Sequence, residues 1–456
     1  MDALVLVFVS GLVAMFIAML KKPVLVLTAA GIGLTGSILL LYRQLMGHES
    51  LLKWSYEGLN FDQPAILFSI LVLIFGLLVV IGGYQHFSRE TEHTGEYISL
   101  LLFSMVGAMC MLSFTDLFMF FIGLEILSIP IYVMVGTNKN DIKSTEASIK
   151  YFFTGAFATG ILLFGIALLF GATGTFKLDI MHDAIVRGAA QGPLLHVGIL
   201  FVLASFLFKI GGAPFHFWGP DVYAGSPNIV TGFMATVVKT AGLFAFFKMF
   251  AFVFHGAYQF WSDILFAVII LTMLVGNLSA LNQIKFKRLL AYSSIANAGY
   301  ALLVLLTASP SSLDNLWIYL AGYGLAVIAL ITVSVILNDE EDNISSFKGI
   351  GRKNPWIGFA LVIGLLSLAG VPPLFGFFGK YVVFFSAFQL YPILVIIAVI
   401  NSGIGIYYYL KLLMLAMSEG DENSDIPTLK PTNLQILSLA ICTIGLLTGG
   451  LIQLIP

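Results

Sequence analysis

Charge is scarce in this sequence. Lys, Arg, Asp and Glu together make up 10% of its 456 residues, whereas a soluble domain averages about 25%. A chain with 59% apolar residues and a mean hydropathy of +0.99 cannot hide that surface in an aqueous core, so lipid must be its solvent. Cysteine is nearly absent. The two present, Cys110 and Cys442, lie in separate apolar runs, and without a C-x-x-C an iron–sulfur or zinc site in this chain is not expected. There is neither a Walker loop nor a strand-borne G-x-G-x-x-G, which argues against nucleotide binding. A net charge of −2 argues against nucleic acid as a partner. A basic n-region and a small-residue cleavage site are also missing at the N-terminus, so the first hydrophobic stretch reads as a helix and not as a removed signal.

Long apolar runs are what the sequence has instead. A spanning helix needs about 20 mostly apolar residues. Fourteen stretches qualify, near 4–20, 24–42, 65–84, 97–113, 115–136, 147–171, 195–224, 228–252, 260–279, 288–307, 315–337, 355–389, 391–413 and 434–453. The expected fold class is an all-α polytopic membrane protein, one integral membrane domain over 1–456. The 45 glycines suit closely packed membrane helices.

Basic residues give the orientation. Lys21, Lys22, Arg89, Lys139, Lys143, Lys150, Lys285, Lys287, Arg288, Lys348, Arg352, Lys353 and Lys430 fall on one set of alternate loops. Arg43, Lys53, Lys177, Arg187 and Lys248 fall on the other. The positive-inside rule makes the first set cytoplasmic. With fourteen spans, both termini are then expected outside.

Two stretches are too long for one span and carry helix breakers. The seventh contains Gly211, Gly212 and Pro214; the twelfth contains Gly370, Pro372 and Pro373. Proline removes a backbone donor and clashes with the preceding turn. Broken backbone at membrane depth is tolerated only against protein or water, and paired interruptions mark ion paths in transporters. A simple proline kink is the plainer alternative.

Four basic residues fit no loop: Lys209, Lys239, Lys380 and Lys411. Counting about 1.5 Å per residue, Glu125 lies about 15 Å into the fifth span and Lys239 at a similar depth in the eighth. Lys209 lies just before its break and Lys380 after its own. Lys411 falls near the end of the thirteenth span and reads as a snorkelling surface lysine. A charge in mid-membrane costs at least roughly 2.5–3.5 kcal/mol. Glu125 is the one carboxylate deep in an apolar run, so a single helix-locking Glu125–Lys209 pair does not account for all three lysines. Lysine suits proton transfer because burial disfavours its charged form, so that a small change of surroundings decides whether it keeps its proton. Glu146 and Lys150, four apart, are either an entry funnel or a plain surface pair. His216, beside the first break, is either a relay or a packed histidine. Asp221 reads as a cap or loop anchor, and Asp339–Asp342 as a solvated loop.

The charges hint at duplication. Lys209 to Lys380 is 171 positions and Lys239 to Lys411 is 172, but Pro214 to Pro372 is only 158. Two halves are expected, spans four to eight over 97–252 and nine to thirteen over 260–413. Spans one to three (1–96) precede them, and a last loop with span fourteen (414–456) follows. Residue-by-residue equivalence does not follow from these offsets.

Several stretches carry a resemblance: DLFMFFIGLEILSIPIYVMVG, EASIKYFFTGAFATGILLFG, FKIGGAPFHFWGPDVYAGSPNIVTGFMATVVKTA, FKRLLAYSSIANAGY and LAGVPPLFGFFGKYVVF. Essentially the whole chain resembles the antiporter-like membrane subunits of respiratory complex I. Its PDVY-x-G-S-P segment and Lys380 are similar to the N-type ones in particular. The resemblance implies two antiporter-like repeats and a proton-transfer series of Glu125 paired with Lys209, then Lys239, then Lys380. It places the chain in a bacterial inner membrane. K-type and M-type membrane subunits and the lateral helix of an L-type subunit would be its neighbours, with NADH, FMN, iron–sulfur clusters and quinone held in other subunits. One position departs. The family's S-S-I-x-H-x-G-Y often has histidine where this chain has Asn297, so a relay there must use water, Ser294 or Tyr300. A free-standing cation/proton antiporter and a non-conducting scaffold are the competing readings.

Overall fold

The structure is a computed structural model that describes residues 1–52, 55–89, 93–138, 140–309, 311–339, 341–419 and 429–452. Lys53 and Lys139, which enter the orientation argument, and most of the last polar loop lie outside the described residues.

The described chain is helical almost throughout. Its first six spans are Asp2–Ala18, Pro23–Leu45, Gln63–Gly82, Thr94–Ser113, Leu117–Val135 and Ile142–Thr173. The seventh is split into Pro193–Ile210 and Trp218–Gly225; the eighth is Asn228–Val253. Tyr258–Ala280, Phe286–Thr307 and Ser312–Leu337 follow. The twelfth is split into Pro355–Ala369 and Phe375–Phe388, and Pro392–Met417 and Asn433–Ile452 complete the fourteen. Helices dominate because only an internally bonded backbone is stable in hydrocarbon. Local signals set their ends. Spans two, seven, twelve and thirteen start with proline in the first turn, where its missing N–H costs nothing. Asp116 caps span five by accepting from Met119 N at 2.7 Å.

Burial sorts the spans. The window of the eighth is 100% buried and that of the tenth 94%, against 33% for the sixth. Polar residues on the first two are therefore surrounded by protein, while the phenylalanine-rich sixth offers its side chains outward.

The chain divides into two compact units. One comprises Met1–Leu77, Glu90–Trp218 and Val237–Val268; the other comprises Leu78–Arg89, Gly219–Thr236 and Ile269–Pro456. In the first unit, spans four and five cross backbone to backbone. A Cβ on Gly107 would lie 2.2 Å from Leu127 N, and one on Gly123 would lie 2.9 Å from Cys110 Cβ. That close approach fixes the height of Glu125, two residues beyond Gly123. A short helix, Leu178–Val186, which the sequence reading took for loop, buries Leu178, Met181 and Ile185. It packs at the end of span eight, with the His182 ring stacked on Phe252. In the second unit the loop after span eleven is tied to the start of span ten: Phe286 N donates to Asp342 O at 2.8 Å, and Lys285 bridges Asn343.

The acidic run in that loop is not simply solvated. Asp339 accepts from Asn343 N and Ser346 Oγ, and Asp342 accepts from Lys287 N at 2.8 Å. Burial pushes the Asp342 carboxyl up to about 6, opposed by Lys287. Two lysines assigned above to loops also move. Lys287 is buried in span ten and donates to Ser226 O at 2.8 Å, and Lys248 lies in the last turns of span eight, donating to Phe114 O at 2.6 Å.

Candidate proton-transfer site

The two breaks share one local design. Span seven ends at Ile210 with Gly211 in the left-handed region (φ +73°), followed by a cis Ala213–Pro214 bond. Span twelve ends at Ala369 with Gly370 in the same region (φ +83°), followed by a cis Pro372–Pro373 bond. Only glycine adopts that conformation without steric cost. At the first break it falls to Gly211, while Gly212 N donates to Leu207 O at 2.7 Å.

Lys209 sits in the last turn before the first break and is buried. Its ammonium donates to Ser128 Oγ at 2.6 Å. Ser128 lies three residues after Glu125, on the same face of span five. The Glu125 carboxylate is half-buried and accepts from Thr159 Oγ1 of span six at 2.8 Å. The acid and the lysine are thus set side by side, with Ser128 as the lysine's direct partner in place of a direct ion pair. The Tyr132 ring lies across Gly155, where a Cβ would stand 2.2 Å from the phenol oxygen. Lys239 is buried in span eight. It begins the α-helical segment Lys239–Phe247 directly after a π-helical stretch, Met234–Val238. Such π-turns widen the helix locally and recur at functional sites. Gly242, one turn on, faces the Lys209 stem: a Cβ there would meet Lys209 Cγ at 3.7 Å.

In the second unit Lys380 is buried in Phe375–Phe388. It donates to Leu368 O at 2.8 Å, Ala369 O at 3.4 Å and Ser402 Oγ at 3.1 Å, and lies 5.4 Å from the Tyr300 ring centre. The Tyr300 hydroxyl accepts from Asn277 Nδ2 at 2.9 Å, and Asn277 Oδ1 accepts from Tyr408 OH at 3.1 Å. Asn297 belongs to a neighbouring group. It donates to Ser293 O at 2.8 Å and Tyr409 OH at 3.4 Å, and its Oδ1 accepts from Tyr319 OH at 2.8 Å. Ser293 and Tyr409 share a short hydroxyl–hydroxyl bond. Ser294 lies on the same span, between the hydroxyls of Tyr223 and Tyr323.

The remaining candidates are more peripheral. Glu146 and Lys150 form a largely exposed pair at 2.6 Å. His216 is buried in the turn of the first break, and among the described residues its Nδ1 has no hydrogen-bond partner. Asp221 anchors Arg288 at 3.1 Å. Lys411 is exposed. Sequence reasoning missed Ser128, Thr159, Ser402, Asn277, Tyr319, Tyr408 and Tyr409. Nothing in the sequence separates them from the many other hydroxyl and amide residues of membrane helices, except the run of Tyr407, Tyr408 and Tyr409 itself.

Comparison with known proteins bears on what such an arrangement does. Residues 115–405 match the family described as NADH:quinone oxidoreductase/Mrp antiporter, TM. The chain is 37% identical over 471 residues to NADH-quinone oxidoreductase subunit N of Cytophaga hutchinsonii, covering 100% of this chain and 99% of that one. It superposes on a chain of respiratory complex I from Thermus thermophilus with a TM-score of 0.86 at 30% identity, covering 99% and 98%. A chain of the Mrp complex from Dietzia sp. shares the fold, with a TM-score of 0.85 at 20% identity.

Proposed function

The chain belongs to the NADH:quinone oxidoreductase/Mrp antiporter membrane family, and from that premise we propose that it is a proton-translocating subunit of an NADH:quinone oxidoreductase. The observation that carries this reading is the placement of buried lysines at irregular helix positions. Lys209 and Lys380 flank the two breaks, and Lys239 follows a π-helical stretch. Buried charge and interrupted backbone are each costly in a membrane, and their coincidence is economical only where an ion is handled.

In this reading Glu125, Lys209, Lys239 and Lys380 hold and pass protons. Glu125 biases Lys209 by its charge, and Ser128 is the neutral acceptor that keeps the ammonium in place. Water, with His216 at the first break, links Lys209 to the inner face, while the Glu146–Lys150 pair stands at the rim. In the second half Asn297 cannot ionise, so proton movement there uses water beside Ser294 and Tyr300. Spans four to eight (97–252) and nine to thirteen (260–413) form two repeats, and both termini lie on the periplasmic side of a bacterial inner membrane. Redox cofactors and quinone belong to other subunits. K-type and M-type membrane subunits and an L-type lateral helix are the expected neighbours.

The test is a pair of substitutions in the assembled complex, Lys209→Met and Lys380→Met. Each is expected to leave the subunit in the membrane and to lower quinone-reduction-driven proton translocation several-fold. Unchanged proton-to-electron stoichiometry and rate in both would refute the reading, and a scaffold role would then stand.

A further inference from the structure

Lys380 follows the break of the twelfth span in sequence but returns to it in space. Its ammonium reaches the last two carbonyls of the half-helix Pro355–Ala369, Leu368 O at 2.8 Å and Ala369 O at 3.4 Å. The preceding turn is closed by backbone donors: Gly370 N and Val371 N both reach Leu366 O at 3.0 Å, and Gly376 N reaches Ser367 Oγ at 3.0 Å. Final carbonyls of a helix have no intrahelical donor, and in hydrocarbon they have no water either. Here the lysine supplies the donor. Gly370 admits it, since a Cβ at that position would stand 3.2 Å from Lys380 Cδ. Among the described residues the ammonium forms no ion pair; its other neighbours are Ser402 Oγ and the Tyr300 ring face.

We infer that the C-terminal end of half-helix Pro355–Ala369, together with Ser402 and the Tyr300 face, is the counter-site that holds the Lys380 proton, so that proton release is coupled to the break itself and not to a carboxylate. Three attractions add up at this point. A helix C-terminus carries roughly half a negative charge, a charged donor makes the stronger class of hydrogen bond, and an aromatic face attracts a cation. Release breaks one N–H bond of the ammonium. The proton passes to water, and the amine keeps its lone pair. The charge-dependent part of all three attractions then disappears, and the half-helix end loosens. Linkage makes the coupling reciprocal: anything that draws the half-helix away from Lys380 favours release. Lys209 differs, because its partner Ser128 and its acid Glu125 both sit on span five, away from its own break. Asn277 and Tyr408 act as positioning residues. They fix the Tyr300 hydroxyl, and hence its ring, beneath the ammonium. Among the described residues, the titratable side chain that faces Lys380 from the packed spans is the Tyr300 phenol, while Tyr319 packs against the neighbouring Gly379.

This inference rests on the proton-carrying role of Lys380 proposed above, and its test separates the two. Amide hydrogen exchange over residues 368–376, followed by mass spectrometry on the whole complex, reads the break directly. Lys380→Met is expected to speed that exchange roughly ten- to hundredfold, the factor for losing a charge-assisted hydrogen bond. Lys380→Arg, which keeps charge and donors, is expected to restore most of the protection. Exchange over 207–216, at the other break, serves as reference and stays unchanged. The milder Ser402→Ala and Tyr300→Leu variants are expected to move the alkaline limb of proton translocation to lower pH. Unaltered exchange in Lys380→Met, or an unmoved limb in both milder variants, overturns the counter-site even if translocation is lost. Faster exchange with normal translocation leaves the counter-site standing and removes the proton-carrying role.

Discussion

Lys209 and Lys380 are both held by a serine hydroxyl, Ser128 Oγ at 2.6 Å and Ser402 Oγ at 3.1 Å. A hydroxyl both donates and accepts, so it can follow the lysine between its charged and neutral forms without leaving a buried polar group unpaired. Ser128→Ala removes the direct partner of Lys209 and leaves Glu125 in place. A hydrogen bond to a charged group is worth about 1.5–3 kcal/mol, so proton translocation should slow roughly tenfold while quinone reduction falls less. Parallel measurement of the two rates checks it. Glu125 and the lysines were legible because charges stand out in apolar runs. The serines were not. Ser128 also donates to Leu124 O, as serines do in any membrane helix, and only its neighbour on span seven gives it another task.

The breaks are the elements that matter most. Gly370→Ala adds a side chain both where φ is +83° and where Lys380 lies 3.2 Å away. Gly174→Ala, at φ +69°, meets nothing within 4 Å and makes a matched control. Each should cost about 1–2 kcal/mol for the left-handed backbone, seen as a similar loss of thermal stability. Proton translocation should fall in Gly370→Ala alone. A second elemental prediction concerns the loop of Asp339 and Asp342. The Asp342 carboxyl, pushed up to about 6 chiefly by burial, binds its proton more tightly in the folded protein than in the unfolded one. Its contribution to stability is therefore largest below the unfolded value near 3.9 and declines as pH rises to about 6. Asp342→Asn should flatten that part of the stability curve, which thermal unfolding of the purified complex across pH 4–7 would register. The glycine–proline clusters were legible as breaks. The return of Lys380 to the end of its own preceding half-helix was not, because a turn's direction depends on what packs against it.

At the scale of the molecule, the proposed orientation, drawn from basic residues biased to one set of loops, predicts periplasmic termini. An alkaline phosphatase fused after residue 452 is expected to be active and a green fluorescent protein at the same place dark, and the opposite pattern would reverse the orientation. The two compact units each carry their own buried lysines, Lys209 and Lys239 in the first and Lys287 and Lys380 in the second. They interleave along the chain, which no sequence offset foretold. The disagreement between lysine and proline spacings has a structural explanation. Lys209 belongs to the last turn of its half-helix by sequence, and Lys380 reaches the matching turn of another half-helix through space.

Composition and spacing by themselves determined that this chain is built of membrane-spanning helices, where two of them break and that Lys209, Lys239 and Lys380 fall within apolar segments. Those properties follow from the cost of exposing backbone and charge to hydrocarbon, which is local and readable residue by residue. Tertiary structure alone decided what each buried charge touches: Ser128 for Lys209, a helix end for Lys380, and tyrosine hydroxyls for Asn297. A hydrogen bond needs its partners within about 3 Å, and only the packing of distant spans brings them that close.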